Sequence, residues 1–467
     1  MAGDAVNFNL KSATFAVRGR RVITSADSGA ASPATLVIRD GKVASIERHG
    51  DHDAVRGLEV VDVGDLVVMP GLVEAHAHIN EPGRTEWEGF ETATSAAAAG
   101  GITTVIDMPL NSIPPTTTLA GLEAKKQAAR GRCHVDYGLW GGVIPGNTRE
   151  YESMVAAGVL GFKAFTCHSG VDEFPMATRA DIDKAMPILA ELGVPLLVHA
   201  ELEGAGGRGS SALPKTKHYR DYLESRPQVW EVEAIKMVTD LAKKHRARVH
   251  IVHLSAADAL DDIARAKDAG IDITVETCPH YLTLTAEEIA DGATWFKCAP
   301  PIREAENQRR LWQGLKSGII DCVVSDHSPC TPQLKLMEEG DFGNAWGGIA
   351  GLQFSLSTVW TDACRAGHDL TSMTRWMSDR TSRLAKLHHR KGSLQPGHDA
   401  DFVVWDPDAT FTLTPAMIRH KHKVTPYEGK TLRGVVHATF VRGQNVYQIN
   451  EKPGTPRPCH GLHITAK

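Results

Sequence analysis

Residues 66–78 read LVVMPGLVEAHAH, an apolar run that ends in two histidines, His76 and His78. More short runs rich in β-branched or other apolar residues follow along the chain, each separated from the next by a stretch able to form a helix. The runs occupy residues 66–78, 101–108, 134–143, 159–167, 194–201, 248–255, 272–282 and 319–329. This α/β alternation predicts a (β/α)8 TIM barrel, whose active site lies at the carboxyl ends of the strands.

The segments on either side of the barrel have a different pattern, of short alternating strands joined by turn pairs such as Asp40-Gly41 and Arg442-Gly443. Two β-rich segments that bracket a barrel can pair with each other, which predicts one small β-sandwich built from both termini. We therefore expect a β-sandwich domain formed by residues 1–70 and 391–467, and a barrel domain formed by residues 71–390.

Composition and charge argue against several classes of protein. The 467 residues include 51 Lys+Arg and 56 Asp+Glu, a formal net charge of -5, and the chain has no long basic run that could hold nucleic acid or an anionic membrane. No apolar run approaches the roughly 18 to 20 residues that span a bilayer, and residues 1–20 lack the apolar core of a secretory signal. The 8 cysteines include no CxxC pair, which favours free thiols in a reducing compartment. We expect a cytoplasmic protein that has neither a nucleic acid nor a membrane as partner.

Four histidines lie at or near the ends of predicted strands. Because positions i and i+2 of a strand point the same way, His76 and His78 can both face the barrel mouth. Neutral imidazole binds Zn, Fe, Co or Ni, although in a chain with 22 histidines a solvated or core pair explains this motif equally well. His199 and His253 end the fifth and sixth runs, where the ordinary interpretation of a single histidine is a core residue bonded to a backbone carbonyl.

Lys163 in the fourth run and Asp326 at the end of the eighth are charged residues inside apolar strands. Burying an unpaired charge costs several kcal/mol, so each needs a partner, which an ordinary Lys–Asp salt bridge would supply. A neutral lysine amine can instead take up CO₂ to form a carbamate, an anionic ligand that can bridge two metals. Convergence at one end of a barrel favours two divalent ions held by six ligands: His76, His78, N6-carboxylated Lys163, His199, His253 and Asp326. Two such ions provide a hydroxide nucleophile, because coordination lowers the pKa of water from about 16 towards ~7.

These ligands lie in the motifs GLVEAHAHINEPG, GFKAF, VHAE, HIVHLS and SDHSPC. In this order they resemble the cyclic amidase branch of the amidohydrolase superfamily, and the resemblance runs over nearly the whole chain. The stretch GSLQPGHDADFVVWDP looks like that family's return into its β-sandwich, and PHYL and KCAPPIR look like its seventh-strand region. The resemblance implies a metal-dependent hydrolase of cyclic amides such as dihydroorotate, hydantoins, dihydropyrimidines or allantoin.

Two positions separate the branches of this family. Dihydroorotases carry HxHxREPG, whose arginine meets the substrate carboxylate, but this chain has Asn80 in its place. An asparagine amide suits a neutral ureido substrate better than a carboxylate, unless Asn80 only caps a loop. Hydantoinases and dihydropyrimidinases carry a tyrosine five residues after the carbamate lysine, where this chain has His168. His168 is either a substrate contact or a surface loop residue.

Three local motifs resemble the allantoin-hydrolysing members of the family: FKAFTCHSG at 162–170, KCAPP at 297–301 and NAWGG at 344–348. The resemblance implies that the hydantoin ring of allantoin opens to allantoate. Asp326 would then accept the proton of the attacking hydroxide and return it to the leaving ring nitrogen. The substrate contacts expected on this basis are Asn80, His168, Cys298, Ser328, Trp346 and Gly347.

Two alternatives stay open at this point. One is a hydantoinase, dihydropyrimidinase or dihydroorotase, and the other is a non-catalytic interaction protein on the same scaffold, which would usually lack some of the metal ligands. We expect zinc as the metal, although the same ligands accept iron, cobalt or manganese. The expected partners are the small-molecule substrate, allantoin, and further copies of the chain in a homodimer or homotetramer.

Overall fold

Each of the eight apolar runs contains a strand in the computed structural model, which describes residues 6, 8, 10, 12–207, 209–210, 212–449, 451 and 457–466. The strands are β1 Phe15–Val22, β2 Ser32–Arg39, β3 Lys42–Arg48, β4 Glu59–Asp62, β5 Val67–Pro70, β6 Leu72–Ala77, β7 Ile102–Asp107, β8 Asp136–Leu139, β9 Gly141–Gly142, β10 Phe162–Phe165, β11 Leu196–His199, β12 Val249–Ile251, β13 Ile273–Thr277, β14 Cys322–Val323, β15 Phe402–Thr412, β16 Thr431–Val441 and β17 Gln444–Gln448.

The helices lie mainly between the barrel strands. They are α1 Phe90–Ala99, α2 Leu119–Ala129, α3 Tyr151–Ala156, α4 Arg179–Glu191, α5 Tyr219–Ser225, α6 Gln228–His245, α7 Leu260–Asp268, α8 Pro279–Thr283, α9 Ala305–Ser317, α10 Ser355–Arg365, α11 Leu370–Thr374 and α12 Arg380–Leu384. Within the described ranges, none of them is both long and apolar enough to cross a bilayer.

The barrel is built from β6 to β14, and the paired strands run parallel. The third apolar run forms two short strands, β8 and β9, on either side of Trp140. The last and first strands are joined by a parallel bridge between Ala77 and His327 and by a 2.7 Å hydrogen bond from the His78 N–H to the His327 carbonyl. Most barrel strands are buried on both faces, which is why they appear in the sequence as continuous apolar runs. The predicted (β/α)8 barrel is confirmed.

The two termini form one eight-stranded sheet, in the order β17-β16-β15-β5-β1-β2-β3, with β4 paired to β1. β5 connects the N-terminal strands of this sheet with the C-terminal strands. It pairs parallel with β1 on one side and antiparallel with β15 on the other. The run 66–78 therefore divides at Gly71 into a strand of this sheet and the first barrel strand. A side chain at Gly71 would lie 2.2 Å from that of Thr103, so only glycine fits where the chain crosses between the two units.

The described C-terminal segment, residues 457–466, contacts strand β8. The N–H of Tyr137 in β8 donates to the Leu462 carbonyl at 3.0 Å, and the N–H of Ile464 donates to the Tyr137 carbonyl at 2.8 Å. The segment thus lies against a barrel strand. Its sequence, HGLHIT, has no strand pattern that would have indicated this pairing. The limits 1–70, 71–390 and 391–467 stay predictions.

A buried ion cluster links the barrel to the terminal sheet. The Lys391 ammonium is fully buried and lies 2.6 Å from carboxylate oxygens of Asp136 in β8 and Asp401 next to β15. A third carboxylate, that of Asp399, is 3.0 Å away. One lysine therefore compensates carboxylates that belong to both units.

We expect Lys391→Met to lower the free energy of unfolding by about 3–5 kcal/mol, because it takes away the cation that contacts the buried Asp401 carboxylate, whereas Asp136 and Asp399 keep arginine partners. Denaturant unfolding measures this loss. The control is Lys42→Met, since Lys42 contacts only Asp399 in this cluster, at 2.5 Å, and its side chain is 46% exposed. That variant should cost about 1 kcal/mol or less. Equal losses in both variants would contradict the linking role of Lys391.

Candidate metal centre and substrate cavity

The residues predicted to bind metal lie at the carboxyl ends of barrel strands, except Lys163, which is the second residue of β10. Three belong to strands β6, β10 and β11, and the others follow β6, β12 and β14 within three residues. His253 and Asp326 adopt positive φ values of 38° and 44°, a conformation that non-glycine residues rarely adopt and that is concentrated at functional sites. The side chains of the whole set are buried: His76, His78, Lys163, His199, His253 and Asp326.

The ligand atoms of these residues converge. Nε2 of His76 lies 3.2 Å from Oδ1 of Asp326, and Nε2 of His78 lies 3.5 Å from the same oxygen. The His253 ring centre is 5.4 Å from that of His76 and 4.5 Å from that of His199. Ligand atoms of His76, His253 and Asp326 all lie within 4.8 Å of one another. The barrel therefore brings together side chains that are far apart in the sequence.

Several polar atoms of this cluster make no hydrogen bond to another described residue. In the described part of the chain, His76 Nε2, Lys163 Nζ and His253 Nδ1 are buried and make no hydrogen bond. An unsatisfied buried polar group costs about 1–3 kcal/mol, so such a group of them indicates a missing ligand. Nitrogen and carboxylate donors at this spacing suit divalent transition metals, and these residues fit such ions.

Burial favours the neutral forms that bind metals. It lowers the pKa of the Lys163 ammonium to about 8, against the opposing effect of the Glu276 and Asp326 carboxylates. Burial also lowers the pKa of His78 to about 4 and that of His253 well below its usual value. Imidazole and amine nitrogens bind metals or react with CO₂ only when they are deprotonated.

Two glutamates support these histidines, and sequence reasoning missed both of them. Glu276 Oε1 lies 2.5 Å from Nδ1 of His76, and Glu201 Oε2 lies 2.7 Å from Nε2 of His199. Both glutamates are fully buried. Their only sequence signal was an acidic residue within or next to an apolar run, in ITVET and LLVHAE.

A cavity of about 380 Å³ opens over the ligand cluster. His168, Ser328, Trp346 and Gly347, which we predicted as substrate contacts, line it, and their contact with a substrate stays a prediction. The Ser328 hydroxyl donates to Asp326 Oδ1 at 3.0 Å. Further polar residues line the cavity and were not among the predicted contacts, although Lys297 and Asn344 begin the motifs KCAPP and NAWGG: Asn111, Tyr222, Ser225, Arg226, Lys297 and Asn344.

Asn80 and Cys298 lie outside the cavity lining. Asn80 is fully buried and has a φ of 66°, and its amide donates to the carbonyl of Pro329 at 3.2 Å, so it ties two loops together. The Cys298 thiol donates to the Pro300 carbonyl at 3.3 Å. This geometry favours the loop-capping interpretation of Asn80 over direct contact with a substrate.

Comparison with known proteins places the chain among hydrolases. A sequence model described as the amidohydrolase family matches residues 67–446. A protein named allantoinase from Streptomyces avermitilis is 51% identical over 439 residues, which cover 93% of this chain and 96% of that protein. Another named allantoinase, from Arabidopsis thaliana, is 45% identical and is matched over 88% of this chain and 84% of its own length.

A solved structure is similar over the full architecture. The L-hydantoinase (dihydropyrimidinase) from Arthrobacter aurescens has a TM-score of 0.88 and 32% sequence identity, covering 97% of this chain and 100% of that one. The similarity therefore includes both the barrel and the terminal sheet. Because the matched residues 67–446 contain the whole candidate metal cluster, and because these relatives align with almost the entire chain, this protein belongs to the amidohydrolase family.

Proposed function

We propose that this protein hydrolyses allantoin to allantoate by opening the hydantoin ring at an amide bond. The hydrolytic part of the proposal rests on a cluster of buried nitrogen atoms that make no hydrogen bond among the described residues and that lie beneath a cavity of about 380 Å³. The names of the relatives that align with most of the chain support the choice of allantoin. A hydantoinase activity is the second candidate, favoured by the similar solved structure.

We infer that the six predicted ligands hold two divalent ions, with zinc as the expected metal. The Lys163 amine is fully buried and free of hydrogen bonds among the described residues, so it can react with CO₂. A bond forms between its nitrogen and the carbon of CO₂, and a proton leaves the nitrogen to solvent. The product would be an anionic carbamate, whose oxygens would help to hold the ions. A bound divalent ion acidifies water and polarises the scissile carbonyl.

In this proposal, Asp326 moves the protons of the reaction. Burial alone would raise its pKa, but the neighbouring His76, His78 and His253 hold that pKa well below its usual value. The carboxylate is therefore ionised and able to accept a proton from the attacking water. It can then return this proton to the ring nitrogen that leaves, which completes the opening of the amide bond.

One preparation of known metal content, tested on four substrates, decides between these activities. We expect the highest kcat/KM on allantoin, and lower values on hydantoin, dihydrouracil and dihydroorotate. Product formation from each substrate is the measurement. A clear preference for hydantoin or dihydrouracil would overturn the proposed substrate while leaving cyclic amide hydrolysis intact. No hydrolysis of any of them with metal bound would overturn the proposed function.

A cytoplasmic location and a homodimer or homotetramer complete the proposal. All the cysteines of the chain are free, which suits a reducing compartment. Light scattering of the purified protein measures the oligomer, and a monomer would contradict this part of the proposal.

A further inference from the structure

The two glutamates behind the metal-binding histidines have different electrostatic surroundings. Glu276 stands behind His76, and Glu201 stands behind His199. Each carboxylate is fully buried, so its negative charge acts on the histidine with little screening by water. They differ in whether a lysine or arginine side chain is in direct contact with the carboxylate.

Glu276 is held by histidines and by backbone. Its Oε1 lies 2.5 Å from His76 Nδ1 and accepts the His253 backbone N–H at 3.1 Å, and its Oε2 lies 3.0 Å from His250 Nε2. His250 is fixed in turn, because its Nδ1 lies 2.8 Å from the Thr274 hydroxyl. Within the described ranges, the ion-pair partners of Glu276 are these histidines, with no lysine or arginine among them.

Glu201 shares its charge with a guanidinium. Its Oε2 lies 2.7 Å from His199 Nε2, but Arg226 also donates to both of its oxygens, through Nε to Oε1 at 3.1 Å and through the terminal nitrogen to Oε2. The Arg226 side chain is 12% exposed, so this pair is itself mostly shielded from solvent. Less of the Glu201 charge therefore acts on its histidine.

A carboxylate beside one imidazole nitrogen fixes the N–H on that nitrogen and increases the basicity of the other. For His76 this places the proton on Nδ1 and leaves Nε2, which makes no hydrogen bond within the described part of the chain, as the metal donor. We infer that Glu276 is a positioning residue for His76, and that it makes the metal position on the His76 side bind more tightly than the position on the His199 side. This inference rests on the two-ion centre of the proposed function.

The test compares two matched variants, Glu276→Gln and Glu201→Gln, each of which removes a charge and keeps the side-chain size. Zn²⁺ is the probe, and metal per chain is measured by mass spectrometry after equilibrium dialysis against increasing chelator. The unmodified protein should release its two ions in two steps. Glu276→Gln should weaken the tighter step by about 10- to 100-fold, while Glu201→Gln leaves that step in place.

Two results would overturn the inference: release of both ions from the unmodified protein in a single step, or equal weakening of the tighter step by both variants. Either would leave the proposed function standing, since that is judged by turnover of allantoin. Two-step release with the expected effect of Glu276→Gln, from a protein that hydrolyses a different ring, would support the inference and overturn the proposed substrate.

A second measurement needs no variant and no metal. In the metal-free protein labelled with ¹⁵N-histidine, we expect nitrogen chemical shifts that place the His76 proton on Nδ1. An Nε2–H tautomer at His76 would overturn the positioning role even if Glu276→Gln fails to fold.

Discussion

Lys163→Ala is expected to give a folded protein that has lost most of its metal and its hydrolytic activity. The Lys163 nitrogen is buried and makes no hydrogen bond to any residue that the structure describes, and a carbamate formed on it would supply donors to both metal positions. Removing the side chain also leaves space for a small carboxylate. Added formate, acetate or propionate should therefore restore part of the activity. Metal per chain and turnover are measured with and without each acid.

Lys125→Met provides a matched control. Lys125 is also fully buried, but its ammonium lies 2.5 Å from Asp107 in an ordinary salt bridge. Loss of this lysine should reduce stability, and the acids should restore nothing. Two bound ions and full activity in Lys163→Ala without any additive would contradict the bridging role of Lys163.

Asp326→Asn is expected to keep the fold and much of the metal but to lower turnover by at least about 10²- to 10⁴-fold, the usual contribution of general acid–base catalysis. The amide keeps the shape of the carboxylate but does not accept a proton at neutral pH. Turnover under saturating allantoin and metal per chain are measured together. Near-normal turnover in this variant would show that another group transfers the protons.

Ser328→Ala separates proton transfer from positioning. Its hydroxyl donates to Asp326 Oδ1 at 3.0 Å, so its loss removes one hydrogen bond and leaves the carboxylate in place. A net hydrogen bond contributes about 0.5–1.5 kcal/mol, which corresponds to a rate loss of roughly 2- to 13-fold. If Ser328→Ala lowers turnover as much as Asp326→Asn does, the loss in Asp326→Asn comes from a change in the position of the side chain and not from lost proton transfer.

The sequence was sufficient to predict the barrel, and the reason is the burial of its strands. Strands covered on both faces appear as short continuous apolar runs, and a polar residue at the end of such a run is easily recognised. The metal-binding candidates were found in this way. The run 66–78 was counted as a single barrel run, but it contains two strands, β5 of the terminal sheet and β6 of the barrel, on either side of Gly71.

What the sequence could not predict depends on contacts between distant residues. His76 and Glu276 are 200 positions apart, and only the closed barrel places a carboxylate behind that histidine. Arg226 and Lys297 reach the cavity from loops whose paths no periodic pattern describes. Asn80 lies in a recognisable motif, yet its side chain is turned towards Pro329 by a backbone conformation that the motif does not reveal.

The pairing of β5 with β15 has a consequence for how the protein is made. A ribosome releases β5 early, but its partner, residues 402–405, emerges only when most of the chain has been translated. Until then, the nascent polypeptide exposes an apolar strand edge, Val67–Pro70, of the kind that recruits other unfinished chains into aggregates. A premature stop codon before residue 402 should therefore leave the cell with insoluble product instead of a smaller working enzyme.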